Sequence, residues 1–330
     1  MTKPDDYLWD RSGPADPDVH RLEQLLAPLA HDRPLDELKL RRKRSRAPWI
    51  IGGALVIAAA AGLVLYLRTA PRVRCDGDVG FAFTANGGTV GCANEQVARG
   101  VLPIGGVLDT GAATAQLAIA DIGTAELAAN TRVRLERSDA SRRQLHLERG
   151  RMHARVTAPP RIFAVTTPST GVTDLGCEYT IEIDANGKGW IEVQSGKVEL
   201  ETTAHALIVA PAGTTARLRA NRAPSVPVVI GASGALRYAV IAWEQEAPDA
   251  LPKLLAAAGS GDAITLANLA VLVSGERDLV LNRLAELSPP PEGVTVHGAL
   301  TEPALLERWR ESIVAEQIVR SIEDGAAPKK

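Results

Sequence analysis

Cysteine and histidine are among the side chains of this 330-residue chain that could act as nucleophiles or metal ligands. The cysteines are Cys75, Cys92 and Cys177, and six histidines are scattered along the chain. No CxxC pair occurs and no histidine lies near Cys75 or Cys92, so zinc is not favoured there. The chain also lacks the HExxH, GxSxG, Walker and GxGxxG motifs. It therefore resembles a binding or transducing protein more than an enzyme, and we expect no metal and no cofactor.

Two weaker chemical alternatives concern histidines. His146 and His153 fall on strands predicted to be neighbours, with Glu148 as a conceivable third ligand. Histidines exposed on strand faces are commoner than metal sites of this composition, so we favour surface positions for both. A nucleophilic pair of Cys177 with a histidine stays open, since nothing in the sequence locates a histidine beside it.

The strongest positional signal is a basic run that precedes a long apolar segment. Residues 48–67 contain no charged residue, and twenty helical residues span roughly 30 Å, the hydrocarbon thickness of a bilayer. We therefore predict a transmembrane helix at 48–67. The basic run before it is predicted to be a topology signal against anionic lipid headgroups and not a nucleic-acid site. Its residues are Lys39, Arg41, Arg42, Lys43, Arg44 and Arg46.

The charges on the two sides of this segment predict its orientation. Seven Lys or Arg residues lie within about 15 residues on its N-terminal side, and three lie on its C-terminal side. The positive-inside rule then leaves residues 1–47 in the cytoplasm and exports the rest. A cleaved signal peptide is the alternative, but 47 residues are too many for its leading region. We expect an uncleaved single-pass protein of the bacterial inner membrane with a periplasmic C-terminal bulk.

Residues 15–31 predict a short helix in the cytoplasmic segment, with Asp16 as N-cap and Pro17 at the first helical position. A segment of 47 residues is too small to build much of a core, so its apolar stripe needs a covering surface. An intracellular protein, a second copy of the chain or weak self-packing could supply it, and we favour a partner protein. The stripe consists of Val19, Leu22, Leu25, Leu26 and Leu29.

The exported part divides into three regions. Residues 68–114 are glycine-rich and are predicted to be a connector closed by a Cys75–Cys92 disulfide, because an exported segment is usually oxidised. Residues 115–222 alternate with period two in roughly ten short segments, which predicts an all-β sandwich or a solenoid-like sheet. Within it, 178–202 is predicted to be a three-stranded meander. Residues 236–325 have helical spacing, so the chain is mainly β with an α-helical C-terminal part.

The β region resembles the FecR family, membrane-anchored regulators of extracytoplasmic-function sigma factors. The order and spacing of several strand and turn patterns carry the resemblance, which covers about 120–220. They are AELAANTRVRLER (125–137), RQLHLERGRMHARV (143–156), IFAVTTPSTGVTDLGCEYTIEID (162–184), WIEVQSGKVEL (190–200) and IVAPAGTTARL (208–218). The family pattern implies that 143–156 is a strand, a glycine turn and a second strand. It usually has threonine at the position of Cys177, which implies a small residue packed toward the sheet interior, with mispairing to Cys75 or Cys92 as the rival.

The resemblance implies an exported sensor domain coupled to a cytoplasmic segment that binds a sigma factor. The N-terminal segment lacks the Cys and His spacing of zinc-binding anti-sigma domains, so zinc is not expected there. An unknown envelope protein or ligand would supply the signal on the exported side. The alternative is a cell-envelope scaffold with no sigma-factor role, for which the cytoplasmic segment would be dispensable.

Overall fold

The computed structural model describes residues 17–27, 74–93, 95–203, 205–273 and 275–326. The chain divides into two units, Met1–Ala70 and Pro71–Lys330. The described part of the first unit is one helix, α1 (Pro17–Leu26), followed by Ala27. Proline at the first helical position is favourable because its missing N–H would have no partner inside the helix. No residue of α1 is buried.

The second unit begins with a large β region built from mostly short strands. Its strands are β1 (Phe81–Asn86), β2 (Val90–Cys92), β3 (Glu95–Val97), β4 (Arg99–Leu102), β5 (Val107–Asp109), β6 (Thr114–Ala118), β7 (Gly123–Leu127), β8 (Arg132–Ser138), β9 (Arg143–Val156), β10 (Phe163–Thr166), β11 (Gly171–Asp174), β12 (Glu178–Ile183), β13 (Gly189–Ser195), β14 (Lys197–Glu201), β15 (Leu207–Pro211), β16 (Thr214–Leu218) and β17 (Val228–Val229).

These strands form two sheets. Sheet A has the order β4-β1-β6-β7-β9-β12-β13-β16-β17. Sheet B has the order β3-β2-β5-β8-β9-β10-β11-β14-β15. The pairs are antiparallel except β9 with β10. Period-two alternation, as in β12, sends Tyr179, Ile181 and Ile183 into one core shared by both sheets.

Strand β9 belongs to both sheets and turns from one to the other at Gly150. Its first half pairs with β8 and β10, and its second half pairs with β7 and β12. Leu145 and Leu147 are buried before the glycine and Met152 and Ala154 after it, so the alternation changes phase there. The expected glycine turn between two strands in 143–156 is therefore wrong, because the chain continues as one bent strand.

Two sequence predictions about the extent of the β region need correction. Residues 68–114 are not a connector in their described part: β1 to β5 lie there, and Phe81, Phe83 and Val90 belong to the sandwich core. The sandwich therefore begins before residue 115. Residues 178–202 are not a three-stranded meander, because β14 pairs with β11 and β15 in sheet B while β12 and β13 pair in sheet A.

The C-terminal part is helical and has its own apolar core. Its elements are α2 (Gly234–Glu244), α3 (Ala250–Ala257), a 3₁₀ helix (Ser260–Asp262), α4 (Ala263–Leu272), α5 (Arg277–Leu287), α6 (Val296–Thr301) and α7 (Pro303–Ala326). Trp309 and Ile313 of α7 are buried in this core, with Leu306 beside them and Leu305 half-buried. This face of α7 packs onto the neighbouring helices.

The transmembrane helix predicted at 48–67 lies outside the described residues. Among the residues that the structure describes, no single helix is long and apolar enough to cross a membrane. One pair, Ala250–Ala257 with Ser260–Leu272, reaches the required length and composition only when its two members are joined across a 114° bend.

Candidate functional site

The apolar stripe of α1 is uncovered in the described part of the first unit. Leu22, Leu25 and Leu26 are 57%, 68% and 56% exposed, and Val19 is half-buried. Leu29 and the basic residues from Lys39 to Arg46 lie outside the described residues. On the opposite face, Gln24 Nε2 and His20 Nε2 are 3.2 Å apart. The helix therefore has one apolar and one polar face, a form suited to binding in an apolar groove.

Two of the cysteines are joined to each other. Cys75 and Cys92 form a disulfide with a Cα–Cα distance of 6.1 Å. Cys92 is buried in β2, and the Cys75 carbonyl accepts a hydrogen bond of 2.9 Å from Val101 N–H of edge strand β4. The segment that leads into the sandwich is therefore attached to β2 by the disulfide and to β4 by a hydrogen bond.

The third cysteine, Cys177, is a buried free thiol directly before β12. Its Sγ donates to Asp174 Oδ2 at 2.8 Å, and Asp174 is itself buried. Burial and the neighbouring carboxylate raise the pKa of the Cys177 thiol far above its ordinary value. Because the thiolate is the nucleophilic form, this environment holds the sulfur unreactive.

The histidines of the β region are hydrogen-bonded to strand neighbours. His146 and His153 lie on one strand, β9, and not on neighbouring strands, and the bend at Gly150 assigns them to different sheets. His146 Nδ1 is 2.9 Å from Thr166 Oγ1, and His153 Nε2 is 3.0 Å from Glu178 Oε1. No group of three or more His, Cys, Asp or Glu within the described ranges could hold a metal ion.

Glu148, the third candidate ligand, is held by two guanidinium groups. Arg132 Nε donates to its Oε2 at 2.7 Å and Arg134 Nη2 donates to its Oε1 at 2.6 Å. Burial raises the pKa of Glu148, but the two arginines outweigh it and hold the pKa below its ordinary value. Arg132 and Arg149 also form ion pairs with Asp109, so the outer face of sheet B carries a connected set of ion pairs.

The C-terminal helices cover strand β15, the last strand of sheet B, and the residue after it through three polar side chains. Asn268 of α4 accepts from Val209 N–H at 2.8 Å and donates to Val209 C=O at 2.9 Å, as a neighbouring strand would. From α7, Arg310 donates to Leu207 C=O at 2.7 Å and Gln317 donates to Ala212 C=O at 3.2 Å. We call these three residues the edge clamp.

Sequence reasoning missed the edge clamp. Helix α4 reads AITLANLAVL, and its two most polar residues, Thr265 and Asn268, are three positions apart and share one face. Thr265 donates to Pro227 C=O at 2.9 Å, which adds a further bond to the β region. Two polar residues on one face of an otherwise apolar helix could have indicated this contact, because buried polar side chains need hydrogen-bond partners.

The described residues contain a β sandwich with a helical part docked on its edge in the second unit, and an amphipathic helix in the first unit. Residues 107–199, from β5 into β14, match the family model described as FecR protein. The chain carries a FecR domain. The match covers the middle of the sandwich and includes the bent strand β9 and the buried Asp174 and Cys177. It confirms the resemblance drawn from the strand and turn patterns.

The FecR domain is accompanied by strands and helices outside the matched residues. Solved structures similar to part of the chain include two crystal structures of a candidate anti-sigma factor from Parabacteroides distasonis ATCC 8503, at 1.65 Å and 2.50 Å resolution. The first is 18% identical with a TM-score of 0.32 and covers 36% of this chain and 57% of that one. The second is 19% identical with a TM-score of 0.27 and covers 31% and 49%. The chain thus spans about half the length of these structures, and no curated protein matches it.

Proposed function

We propose that the chain is a FecR-type regulator of an extracytoplasmic-function sigma factor. Residues 1–47 bind the sigma factor in the cytoplasm, 48–67 cross the bacterial inner membrane, and the FecR domain with its helices receives a signal in the periplasm. The proposal excludes catalysis. The family match supports the regulatory class, and the charge pattern around 48–67 supports the orientation.

The observation that carries the partner assignment is the exposed leucine stripe of α1. Three leucines that are more than half exposed on one face of a ten-residue helix leave apolar area that a partner groove would remove from water. Burying one leucine side chain contributes about 2 kcal/mol, so two contribute about 4 kcal/mol, or roughly a thousandfold in Kd. The stripe is therefore large enough to dominate the affinity of a short segment.

The test is co-purification of the full-length chain with its cognate sigma factor, followed by measurement of the Kd. Leu22→Ala with Leu26→Ala removes two stripe side chains and preserves helix propensity. We expect the Kd to rise by roughly a thousandfold and co-purification to be lost. The matched control is His20→Ala with Gln24→Ala, which has the same spacing on the opposite face and is expected to bind as the parent does. Equal sigma-factor recovery with both double variants would contradict the proposal.

A further inference from the structure

Two exposed apolar side chains of the β region lie at one end of the sandwich. Val79 is 69% exposed and Ile104 is 52% exposed. Val79 comes two residues before Phe81 of β1, Ile104 comes two residues after Leu102 of β4, and Phe81 pairs with Leu102 in the sheet. The pairing therefore brings Val79 and Ile104 to the same end of the sandwich, which we call the entry end.

Close packing of the two chains continues up to the entry end. A Cβ added at Gly80 would lie 2.1 Å from Leu102 O and 3.0 Å from Pro103 Cα, so the backbones touch there. Val79 and Ile104 are the next residue on each chain and are therefore neighbours. Leu102 is fully buried, so the exposed pair lies just outside the core.

The chain also enters the sandwich beside this end. Cys75 C=O accepts from Val101 N–H at 2.9 Å, three positions before Ile104. The disulfide to Cys92 of β2 attaches Cys75 to the sandwich covalently. The link between the sandwich and the preceding residues therefore lies close to the entry end.

The sequence leaves a short connection before this link. Six residues, 68–73, separate the proposed membrane span at 48–67 from Arg74. An extended chain spans at most about 3.5 Å per residue, so the seven steps from Leu67 to Arg74 reach at most about 25 Å. A short tether raises the effective concentration of the sandwich at the bilayer to about the mM range, so a weak apolar contact is enough for docking.

The charges near the entry end are balanced. Residues 74–80, 119–122 and 137–143 together carry four arginines and four aspartates. Three of the aspartates each pair with an arginine. The pairs are Asp76 with Arg74 at 2.8 Å, Asp121 with Arg143 at 2.9 Å and Asp139 with Arg137 at 3.5 Å. Headgroup charge therefore neither attracts nor repels this end strongly, and its exposed apolar pair decides what it contacts.

We propose that the entry end docks on the phospholipid surface on the exported side, with Val79 and Ile104 inserted at the boundary between headgroups and acyl chains. Insertion removes their exposed apolar area from water. The docking rests on the proposed membrane span and adds to it a second, peripheral contact between the chain and the bilayer. It is separate from the leucine stripe of α1.

Photocrosslinking of the full-length chain in phosphatidylcholine vesicles tests the proposal. Single variants carry the photoreactive residue p-benzoylphenylalanine: Val79→p-benzoylphenylalanine, Ile104→p-benzoylphenylalanine, or the control Tyr238→p-benzoylphenylalanine on α2, where the native side chain is 74% exposed. Mass spectrometry detects intact phospholipid adducts. We expect the yield of lipid adducts at Val79 and Ile104 to exceed that at Tyr238 by about fivefold or more. Equal yields at the three positions, or adducts with a second copy of the chain in place of lipid, would overturn the proposal.

A fourth probe separates this inference from the proposed topology. Leu55→p-benzoylphenylalanine lies in the proposed span and reports the span by itself. Lipid adducts at Leu55 with none at Val79 or Ile104 would overturn the docking and leave the span standing. No adduct at Leu55 would overturn the span, and the docking with it.

A charge placed beside the probe tests whether the apolar pair acts together. Ile104→Asp in the Val79→p-benzoylphenylalanine chain should lower the lipid adduct yield several-fold, because a carboxylate opposes insertion among acyl chains. Tyr238→Asp in the same chain should leave the yield unchanged. Both positions are exposed, so both variants are expected to fold, and circular dichroism checks this. An unchanged yield with folded Ile104→Asp would overturn the proposal.

Discussion

Asp174 and Cys177 show how a residue that could do chemistry becomes part of a core. The Cys177 thiol donates to Asp174, whose carboxylate also accepts Gly176 N–H at 2.6 Å. Desolvation nonetheless raises the pKa of Asp174 above its ordinary value. A carboxyl group whose folded pKa lies above its unfolded pKa binds more protons in the folded state, so the protein loses stability as pH rises between the two values.

Asp174→Asn should therefore change the pH dependence of stability. The free energy of urea unfolding, variant minus parent, should rise with pH from about pH 4 upward, because asparagine does not titrate. A lost hydrogen bond would add only a constant offset, so the slope is diagnostic.

Asp184→Asn is the matched control for that slope. Backbone N–H groups of Lys188 and Asn186 lower the pKa of Asp184, so its contribution to stability is present above the unfolded pKa and is lost as pH falls. The free energy of unfolding of Asp184→Asn minus that of the parent should fall as pH rises, so its slope is opposite in sign to the slope for Asp174→Asn. Slopes of the same sign for both variants would contradict the burial account.

At the scale of elements, strand β9 joins the two sheets, and its bend depends on Gly150. Its φ is +98°, which a residue with a side chain rarely adopts, and a Cβ there would overlap Cα and Oγ1 of Thr131. The Thr131 hydroxyl donates to Arg151 C=O and accepts from Arg151 N–H, both at 3.1 Å. The Arg151 C=O also accepts from Ala128 N–H at 3.0 Å, so Thr131 adds to the backbone bonding of the residue just after the bend.

Gly150→Ala should destabilise the sandwich by about 3 kcal/mol or more, from backbone strain and the overlap with Thr131. Chemical unfolding of the full-length chain measures this change. Gly231→Ala is the matched control, because a Cβ at that position would have no atom within 4 Å and its φ is not positive. The control should stay within about 1 kcal/mol of the parent. A Gly150→Ala variant as stable as Gly231→Ala would contradict the role assigned to the bend.

The strands could be predicted from sequence, but their assignment to sheets could not. Alternation shows that one face of a strand is buried, as in β12 and β13, and does not show which sheet the strand joins. The link from β13 to β14 passes through Gly196, whose φ is +69°, and carries the chain from sheet A to sheet B. A serine–glycine pair in the sequence looks the same whether it closes a hairpin or crosses between sheets. The predicted meander failed for this reason.

At the scale of the whole molecule, the edge clamp joins the helical part to the FecR-containing sandwich. An uncovered edge strand presents unpaired backbone groups, and Asn268 satisfies both of those of Val209. Asn268 is fully buried.

Asn268→Ala should lower the free energy of unfolding by about 3 kcal/mol, because two buried backbone groups lose their partners. Asn282→Ala, the same substitution at an exposed position of α5, should change it by less than about 0.5 kcal/mol. Urea denaturation followed by circular dichroism compares the two. Equal changes in the free energy of unfolding for the two variants would show that Asn268 contributes nothing beyond helix propensity.

Domain boundaries were predictable only where composition changes sharply. The helical part was expected at 236–325 and extends from Gly234 to Ala326. The first part of the sandwich was missed because β1 is a single six-residue strand and β2 to β5 have three or four residues each, too few to display alternation among the glycines of 68–114. The edge clamp was missed because its bonds join residues about 60 to 105 positions apart, which no local pattern records.

Transcription from a promoter of the cognate sigma factor tests the central claim most directly. Cells would carry the parent chain, a deletion of residues 1–38 that keeps the basic run, Leu22→Ala with Leu26→Ala, or His20→Ala with Gln24→Ala. We expect the deletion and the leucine variant to give the same transcription as cells that lack the protein, and the opposite-face variant to match the parent. Parental transcription from the deletion would contradict the regulator and favour an envelope scaffold.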